Sequence, residues 1–242
     1  MKIIGIIPAR YNSTRFPGKP LADIDGKTMI QRVYEQAKKV AAISKVIVAT
    51  DDERIFDHVK TFDGEVIMTS TTHHSGTDRC GEVINILNED FDVVINIQGD
   101  EPFIQPQQLE KLITAFKDSE VEIATLAIKL DDNEKLFDPN IVKVVLSSDN
   151  NALYFSRNPI PFSRNMENEN WINANSYYKH LGIYAFRKNI IQKIVQLDQT
   201  PLEKAESLEQ LRWLENGYKI KIVETDIDSV GIDTPEDLRK IQ

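Results

Sequence analysis

A cationic loop follows the first apolar run of the sequence, and its residue types suit the binding of a polyphosphate. The segment PARYNSTRFPGKP at 8–20 places Arg10, Arg15 and Lys19 within ten residues, with Ser13 and a glycine between them. Guanidinium and ammonium groups neutralise phosphate charge, hydroxyls donate hydrogen bonds, and glycine lets the backbone approach a ligand closely. Such side chains are often merely solvated on a surface. Three cations after a predicted strand, in a chain that is otherwise acidic, favour a phosphate site.

Two aspartates elsewhere in the chain could hold a divalent cation. Asp100 follows the run VVINIQG, and Asp233 follows SVGI and precedes a proline-containing helix start. Mg²⁺ takes one or two protein carboxylates together with substrate phosphates, so a carboxylate opposite a cationic loop suits a metal and phosphate site. Asp233 has a second interpretation, because Asp-Thr-Pro before a helix is common N-cap chemistry. The local pattern alone favours the cap.

The loop HHSGTDR at 73–79 lies between a predicted strand and a predicted helix. A zinc site is not expected there, because adjacent histidines point in different directions and no further Cys or His follows at a zinc-ligand spacing. The prediction is that the backbone and Ser75 hydrogen-bond a ligand, and that Thr77 or Asp78 caps the helix.

A polar strand face is predicted in the second half of the chain. Within YYKHLGIYAF, alternation places His180 and Tyr184 on one face. This pattern predicts a polar pocket, and a solvated sheet face fits it equally well. Arg157, after ALYFS, is a possible anion partner, and Glu209 with Gln210 would lie beside a buried helical stripe. That stripe consists of Ala205, Leu208, Leu211 and Leu214.

The apolar runs predict the elements that position these residues. Up to about residue 117, β-branched runs alternate with helix-like segments, which is typical of βαβ units with a parallel sheet covered on both faces. Ligands of such sheets bind beyond the carboxyl ends of the strands, and the first four runs end at Pro8, Thr50, Thr69 and Gln98. Beyond residue 120 long strands follow closely, with a hairpin turn at 149–151. The predicted fold is α/β, with a mostly parallel central sheet and an inserted β-rich subdomain.

Composition excludes several classes of protein. The chain has 242 residues, a formal net charge of -9 and a single Cys80, so an internal disulfide is impossible. No run approaches the roughly 18 apolar residues of a membrane span, and no secretory signal is recognisable. The acidic charge argues against a general nucleic-acid binder, although local cations can set the sign of one cleft. We therefore expect a cytoplasmic protein that binds neither membrane nor nucleic acid.

Seven motifs, spread in order over nearly the whole chain, are together distinctive: PARYNSTRFPGKP, HHSGTDR, NIQGDEPFI, KVVLSSDNNALYFSRNPIP, KHLGIYAFRK, LEQLRWLENG and GIDTPEDL. In this order they closely resemble the 3-deoxy-manno-octulosonate (Kdo) cytidylyltransferase family, the CMP-Kdo synthetases. The resemblance implies a GT-A-like nucleotidyltransferase, cytoplasmic and usually dimeric, that activates Kdo for lipopolysaccharide synthesis with Mg²⁺ as cofactor.

The resemblance also implies roles for individual residues. The CTP phosphates would be bound by Arg10, Ser13, Arg15 and Lys19. Ser75 and Gly76 would approach the cytidine, while Asp100 and Asp233 would hold Mg²⁺. Arg15, Lys19 and Asp100 would carry the catalysis. Gln98 would touch both the nucleotide and the sugar, and the remaining sugar-pocket residues would be Arg157, His180, Tyr184, Glu209 and Gln210.

The implied organisation is one nucleotidyltransferase domain over 1–242. It would consist of a CTP-binding half at 1–117, a sugar-binding and dimerisation part at 120–225, and a metal-site segment with a closing helix at 226–242. Two alternatives stay open at this point. One is a cytidylyltransferase for a related sugar acid, such as 8-amino-Kdo or sialic acid; the other is a nucleotide-binding or scaffold protein without catalysis.

Overall fold

The computed structural model describes residues 1–12, 15–229 and 231–240, and the chain divides into two units. The first unit comprises Met1–Glu110, Ala185–Val195 and Ser229–Gln242, and the second comprises Lys111–Tyr184 and Gln196–Asp228. Among the described helices, none combines the length and hydropathy needed to cross a bilayer.

Strands and helices alternate along the described chain. The strands are β1 (Ile3–Ala9), β2 (Asp23–Ile24), β3 (Lys27–Thr28), β4 (Ile43–Thr50), β5 (Val66–Met68), β6 (Val93–Asn96), β7 (Ile123–Lys129), β8 (Lys143–Leu146), β9 (Ala152–Ser156), β10 (Tyr178–Arg187) and β11 (Ile220–Glu224). The helices are α1 (Met29–Lys38), α2 (Glu53–Thr61), α3 (Gly76–Leu87), α4 (Pro106–Thr114), α5 (Asn133–Phe137), α6 (Trp171–Ala174), α7 (Lys188–Ile194), α8 (Pro201–Glu206), α9 (Gln210–Glu215) and α10 (Pro235–Arg239).

The first unit is built on parallel strands, as the alternation of strand and helix predicts. β1 lies between β4 and β6, and β4 also pairs with β5, all in parallel. β1 and β6 are buried almost throughout, because a parallel sheet carries helices on both faces. The carboxyl ends of these strands therefore share one edge, where the polar loops begin.

Gly99 allows two of these loops to meet. A Cβ atom built at Gly99 would lie 2.7 Å from the carbonyl oxygen of Pro8, at the end of β1. That separation is shorter than a carbon and an oxygen tolerate without bonding, so a side chain here would force the backbone apart. The absence of a Cβ brings Asp100 close to the cationic loop that follows β1.

A small apolar cluster packs against the same loops. Ile24, Met29 and Ile232 are buried together, and Phe16, Phe103 and Leu238 pack against them. In addition, the amide of Ile232 donates to the carbonyl of Asp100 at 2.9 Å. Burial of these side chains ties the loop after β1, the loop after β6 and the start of α10 to one another.

The second unit contains the predicted hairpin. β8 pairs with both β9 and β10 in antiparallel orientation, while β11 runs parallel to β7. The turn between β8 and β9 includes Asn150 at φ 56°, a conformation that asparagine tolerates better than most residues. A separate core of Leu130, Leu136, Trp171 and Tyr177 lies in this unit. These elements confirm the α/β class and the β-rich insertion.

The predicted continuous stripe of Ala205, Leu208, Leu211 and Leu214 is wrong. Ser207 adopts φ 53° and ends α8, and α9 begins only at Gln210. The interruption changes the helical phase. As a result Ala205 is exposed and Gln210 is buried, whereas Leu208 and Leu211 are buried as expected.

Candidate active site

A cavity of about 250 Å³ lies at the carboxyl ends of the parallel strands of the first unit. It brings together the described residues predicted for the nucleotide and the metal, namely Arg10, Arg15, Lys19, Ser75, Gly76, Gln98, Asp100 and Asp233. Ser13, also predicted to bind CTP phosphates, lies outside the described residues.

Lys19 lies between the two predicted metal ligands. Its Nζ is 2.7 Å from Asp100 Oδ2 and 3.2 Å from Asp233 Oδ1, and only 14% of its side chain is exposed. Two carboxylates from distant parts of the chain thus converge on one positive charge. A divalent cation could be held by the same oxygens, so the donor set fits Mg²⁺, which needs few protein carboxylates. Within the described residues, no group of three or more Asp, Glu, His or Cys side chains forms a larger metal site.

Arg15 holds the second of these carboxylates in a bidentate geometry. Its Nη1 and Nη2 donate to Asp233 Oδ2 and Oδ1, each at 3.1 Å. The pair is well exposed, so it is screened by water and weak on its own. It nevertheless places a guanidinium next to Lys19 at the cavity mouth, where an anionic ligand would meet both cations.

The structure separates the two interpretations of Asp233. The side chain that caps α10 is Thr234, which accepts from the amide of Asp237, while the Asp237 carboxylate accepts from the amide of Thr234. This exchange, led by the hydrogen bond from the Thr234 hydroxyl, lowers the pKa of Asp237. Thr234 therefore caps α10, and the carboxylate of Asp233 is directed to Arg15 and Lys19.

Ser75, not Thr77 or Asp78, is the N-cap of α3, which corrects the sequence-based prediction. Its hydroxyl accepts from the amide of Asp78 at 3.1 Å, and the Asp78 carboxylate accepts from the amide of Ser75 at 3.1 Å. This capping box fixes the start of a twelve-residue helix. The N-terminal turn of α3 lines the cavity, and the helix dipole there favours an anion.

Sequence reasoning missed Arg79, a buried arginine in the wall of the cavity. Its side chain is 4% exposed. It donates to Asp51 Oδ2 at 2.9 Å and to the Thr69 hydroxyl, so it joins the ends of β4 and β5. The sequence feature that could have indicated a buried arginine is the acidic pair Asp51-Asp52 after β4, because a buried guanidinium needs a carboxylate partner. Asp52 caps α2, whereas Asp51 pairs with Arg79.

His73 and Glu82 hold the loop before α3 in place. His73 Nε2 lies 2.5 Å from Glu82 Oε2, which also accepts from the amide of Ser70 at 2.8 Å. Burial by itself raises the pKa of Glu82, but the hydrogen bonds from Ser70 and His73 outweigh it and leave the pKa below its ordinary value. The loop is therefore tied to α3 by an ionised carboxylate.

The second unit contains the predicted sugar-pocket residues other than Gln98. The rings of His180 and Tyr184 lie 5.3 Å apart, which confirms that they share a strand face. Trp213 of α9 packs edge-on against Tyr184 at 4.9 Å, and the Thr125 hydroxyl is 3.1 Å from His180 Nε2. We call Thr125, His180, Tyr184 and Trp213 the His180 cluster.

The His180 cluster is electrically neutral at pH 7. Burial lowers the pKa of His180 to about 3. Burial, followed by the nearby charge of Glu209, raises the pKa of Tyr184 well above its ordinary value. Both side chains can therefore exchange hydrogen bonds with hydroxyl groups, but neither supplies a charge.

Gln210 and Arg157 add polar groups to the second unit. Gln210 is 5% exposed, and its Nε2 has no hydrogen-bond partner among the described residues. A buried amide of this kind is costly unless a ligand completes it. The guanidinium of Arg157 donates to the carbonyls of Glu206 and Pro139 at 2.8 and 3.1 Å.

Comparisons with known proteins agree on one family. The profile of the cytidylyltransferase family matches residues 4–222. Two relatives named 3-deoxy-manno-octulosonate cytidylyltransferase, from Parabacteroides distasonis and Bacteroides thetaiotaomicron, are each 56% identical to the chain over 99% of its length and 96% of their own.

Solved structures give the same result. The structure of CMP:2-keto-3-deoxy-manno-octonic acid synthetase complexed with CTP superposes with a TM-score of 0.92 at 44% identity, and covers 100% of this chain and 97% of its own. The 4-diphosphocytidyl-2C-methyl-D-erythritol synthase of Anaerococcus prevotii reaches a TM-score of 0.63 at 18% identity, over 99% of this chain and 96% of its own. The second likeness is one of fold alone.

Proposed function

The chain belongs to the cytidylyltransferase family, among the members named for Kdo, and we infer that it transfers CMP from CTP to Kdo with release of pyrophosphate. This reaction provides activated Kdo for lipopolysaccharide synthesis. The observation in the structure that best supports it is the convergence of Asp100 and Asp233 on Lys19, beside Arg10 and Arg15 in one cavity. Relatives at 46–56% identity carry the Kdo name, so 8-amino-Kdo and sialic acid are less favoured substrates.

The triphosphate of CTP is assigned to the cationic side of the cavity. Arg10, Arg15 and Lys19 can neutralise its charge, and the start of α3 at Ser75 and Gly76 offers backbone amides nearby. In this structure Arg15 and Lys19 neutralise carboxylates. A triphosphate would compete for these cations, and a bound metal would compete for the carboxylates.

Mg²⁺ is assigned to Asp100 and Asp233. When bound, the ion would supply neutralisation of phosphate charge and polarisation of a phosphoryl oxygen. The aspartates would orient it through the oxygens that now accept from Lys19. Lys19, released from that role, would remain close enough to bind a phosphate.

The proposed step is attack by the anomeric 2-hydroxyl oxygen of Kdo on the α-phosphorus of CTP. A bond forms from this oxygen to phosphorus, the bond to pyrophosphate breaks, and the hydroxyl proton is lost to solvent. We assign no general base and no covalent intermediate. Arg15, Lys19 and Asp100 would contribute by aligning the phosphates and by stabilising the charge on the leaving group.

Kdo recognition is assigned to residues of the second unit. Kdo has several hydroxyl groups and one carboxylate. The neutral side chains of His180 and Tyr184, the buried amide of Gln210 and the carboxylate of Glu209 suit the hydroxyl groups. Arg157 suits the carboxylate of the sugar, because a guanidinium binds carboxylates in a defined geometry.

A cytoplasmic homodimer completes the proposal. CTP is a cytoplasmic nucleotide, and the second unit exposes Leu153 and Phe162 to the extent of 61% and 75%. A contact between two copies that buried these side chains would remove apolar surface from water. Light scattering during gel filtration tests the dimer: a mass near 28 kDa at all concentrations, close to the 27.7 kDa of the chain, would refute it.

The activity is tested by measuring pyrophosphate release from CTP and Mg²⁺ with Kdo, 8-amino-Kdo and sialic acid in separate assays. We expect release with Kdo at the highest kcat/KM. Faster release with another acid would show that this acid, and not Kdo, is the preferred substrate. No release with any acid, from a folded protein that binds CTP, would leave a nucleotide-binding protein without catalysis.

A further inference from the structure

A buried lysine lies next to Arg157 in the second unit and has no role in the reaction described above. Lys143 is the first residue of β8 and is fully buried. It pairs across the hairpin with Ser156, one residue before Arg157. Lysine side chains are rarely buried, because removing the ammonium from water costs free energy unless other groups compensate. The position of Lys143 therefore requires a structural reason.

Three backbone carbonyls supply that reason. Lys143 Nζ donates to the carbonyl oxygens of Asp138 at 2.8 Å, Ile141 at 2.5 Å and Arg157 at 2.5 Å. An ammonium has three N–H donors, so each donor has its own acceptor. Burial lowers the pKa of Lys143 to about 8, which still leaves the group protonated at pH 7. The ammonium thus fastens the chain before β8 to the end of β9.

The side chain of Arg157 is hydrogen-bonded to the same segment before β8 that Lys143 binds. Its Nη1 donates to the carbonyl of Pro139, which lies between the two carbonyls of the 138–141 segment that Lys143 binds. Its Nε donates to the carbonyl of Glu206, and its backbone amide donates to the Glu206 carboxylate at 3.0 Å. Movement of the 138–141 segment would therefore shift both the backbone of Arg157 and an acceptor of its guanidinium.

The acceptors of the guanidinium leave its charge available to an anion. Those named above are carbonyls, and among the described residues no carboxylate forms a salt bridge with Arg157. Carbonyl oxygens orient a guanidinium without cancelling its charge. Lys143 itself is fully buried, so it cannot contact a substrate directly, and its hydrogen bond to the carbonyl of Arg157 offers a route by which it can act.

We propose that Lys143 is a positioning residue for the sugar acid: its ammonium fixes the backbone of Arg157 and the 138–141 segment, so that the guanidinium is presented to the substrate carboxylate. The inference rests on the proposed function, because it takes Arg157 as the carboxylate-binding residue. It adds a residue on which selectivity for the acid depends without any contact between that residue and the substrate.

Steady-state kinetics of Lys143→Gln test the proposal. Glutamine offers two donors and no charge, so one carbonyl loses its partner. We expect KM for Kdo to rise about tenfold or more, since small misplacements of a binding group have effects of this size. KM for CTP should change by less than about twofold, as for a remote substitution. Lys221→Gln is the matched control: Lys221 Nζ donates to one carbonyl, that of Asp149, and neither KM should change.

A double-mutant cycle with Arg157→Ala distinguishes positioning from a general loss of structure. If Lys143 acts through Arg157, adding Lys143→Gln to Arg157→Ala should change KM for Kdo by less than about twofold. Additive effects, or equal rises in KM for both substrates, would overturn the proposal. An unchanged KM for Kdo in Arg157→Ala alone would refute the role of Arg157 in the proposed function, and the inference with it.

Lys143→Arg keeps the experiment decisive if Lys143→Gln does not fold. Arginine retains the charge and the donors, but its planar group is larger than an ammonium. We expect a smaller rise in KM for Kdo, again with KM for CTP unchanged. Equal KM values for Kdo in a folded Lys143→Arg protein and in the wild type would then overturn the proposal.

Discussion

The cavity of the first unit and the His180 cluster of the second unit handle charge in opposite ways. In the cavity, Lys19 and Arg15 are paired with Asp100 and Asp233, and much of the group is open to water. In the cluster, burial keeps His180 and Tyr184 neutral. The first arrangement can exchange its own ion pairs for those of a ligand. The second consists of neutral side chains, of which Thr125, Tyr184 and Trp213 are buried and His180 is partly exposed.

This difference suits the two proposed ligands. A triphosphate with Mg²⁺ brings several charges, and the exposed pair of Arg15 with Asp233 can be exchanged at small cost because such a pair contributes little stability. A sugar acid is recognised mainly through hydroxyl groups, for which fixed neutral donors and acceptors give selectivity. The contrast predicts that substitutions in the cavity affect turnover, whereas those in the second unit affect sugar binding and stability.

The largest expected effect is that of Asp100→Asn. Loss of the carboxylate should lower kcat at least about a hundredfold, which is the scale for removing one preorganised electrostatic group. The thermal midpoint should stay close to that of the wild type, because Asp100 is partly exposed. The rate of pyrophosphate release at saturating CTP, Kdo and Mg²⁺ measures kcat. Asp25→Asn, at an exposed turn, is the matched control, and near-normal turnover of Asp100→Asn would contradict the metal assignment.

The second prediction concerns the stability of the protein at acid pH, and it tests whether His180 is neutral in the folded state. His180 has a folded pKa of about 3 against an ordinary value of 6.5, so the unfolded chain binds the proton more readily. The contribution of neutral His180 to the free energy of unfolding is complete above pH 6.5 and is lost as the pH falls towards 3. Between pH 6.5 and 5 this amounts to about 2 kcal/mol.

Urea unfolding at several pH values measures that loss. In His180→Gln the free energy of unfolding should fall less steeply over this range than in the wild type. His58→Gln is the control, since it removes another histidine, one bound to the Thr28 hydroxyl at 2.8 Å. Equal slopes in the wild type and in His180→Gln would show that His180 is not kept neutral by burial.

In both regions, the features that depend on residues close together in the chain could be predicted from the sequence. Arg10, Arg15 and Lys19 follow a buried strand directly, so their place at the sheet edge results from strand direction alone. His180 and Tyr184 follow from the alternation of a strand. Such features depend on neighbours a few residues apart.

The parts that could not be predicted depend on partners far away in the chain. The pairing of Arg79 with Asp51 spans 28 residues, and the acidic pair after β4 does not show by itself which distant cation is its partner. The burial of Gln210 depends on Ser207, whose left-handed backbone interrupts the expected helix. Serine has no strong preference for that conformation, so the change of helical phase was invisible in the sequence.

The third prediction uses that buried amide. Gln210→Leu should raise KM for Kdo about tenfold, the scale of one lost hydrogen bond to a substrate. It should also increase thermal stability, because an apolar side chain replaces a buried amide that lacks a partner. Gln192→Leu, at an exposed pair with Asn85, controls for the added hydrophobicity. A loss of stability together with an unchanged KM would show that Gln210 is structural.

The smallest expected effect is that of salt, and it tests the comparison without any substitution. Raising the ionic strength from about 0.05 to 0.5 M shortens the Debye length to a few ångströms and screens exposed charges far more than buried neutral groups. KM for CTP should therefore rise about threefold to tenfold, with a smaller rise for Kdo, whose single carboxylate is its only charge. The assay must hold free Mg²⁺ constant, because salt also weakens its complex with CTP. If KM for Kdo rises as much as KM for CTP, the second unit recognises its ligand mainly by charge, and the proposed contrast between the two regions fails.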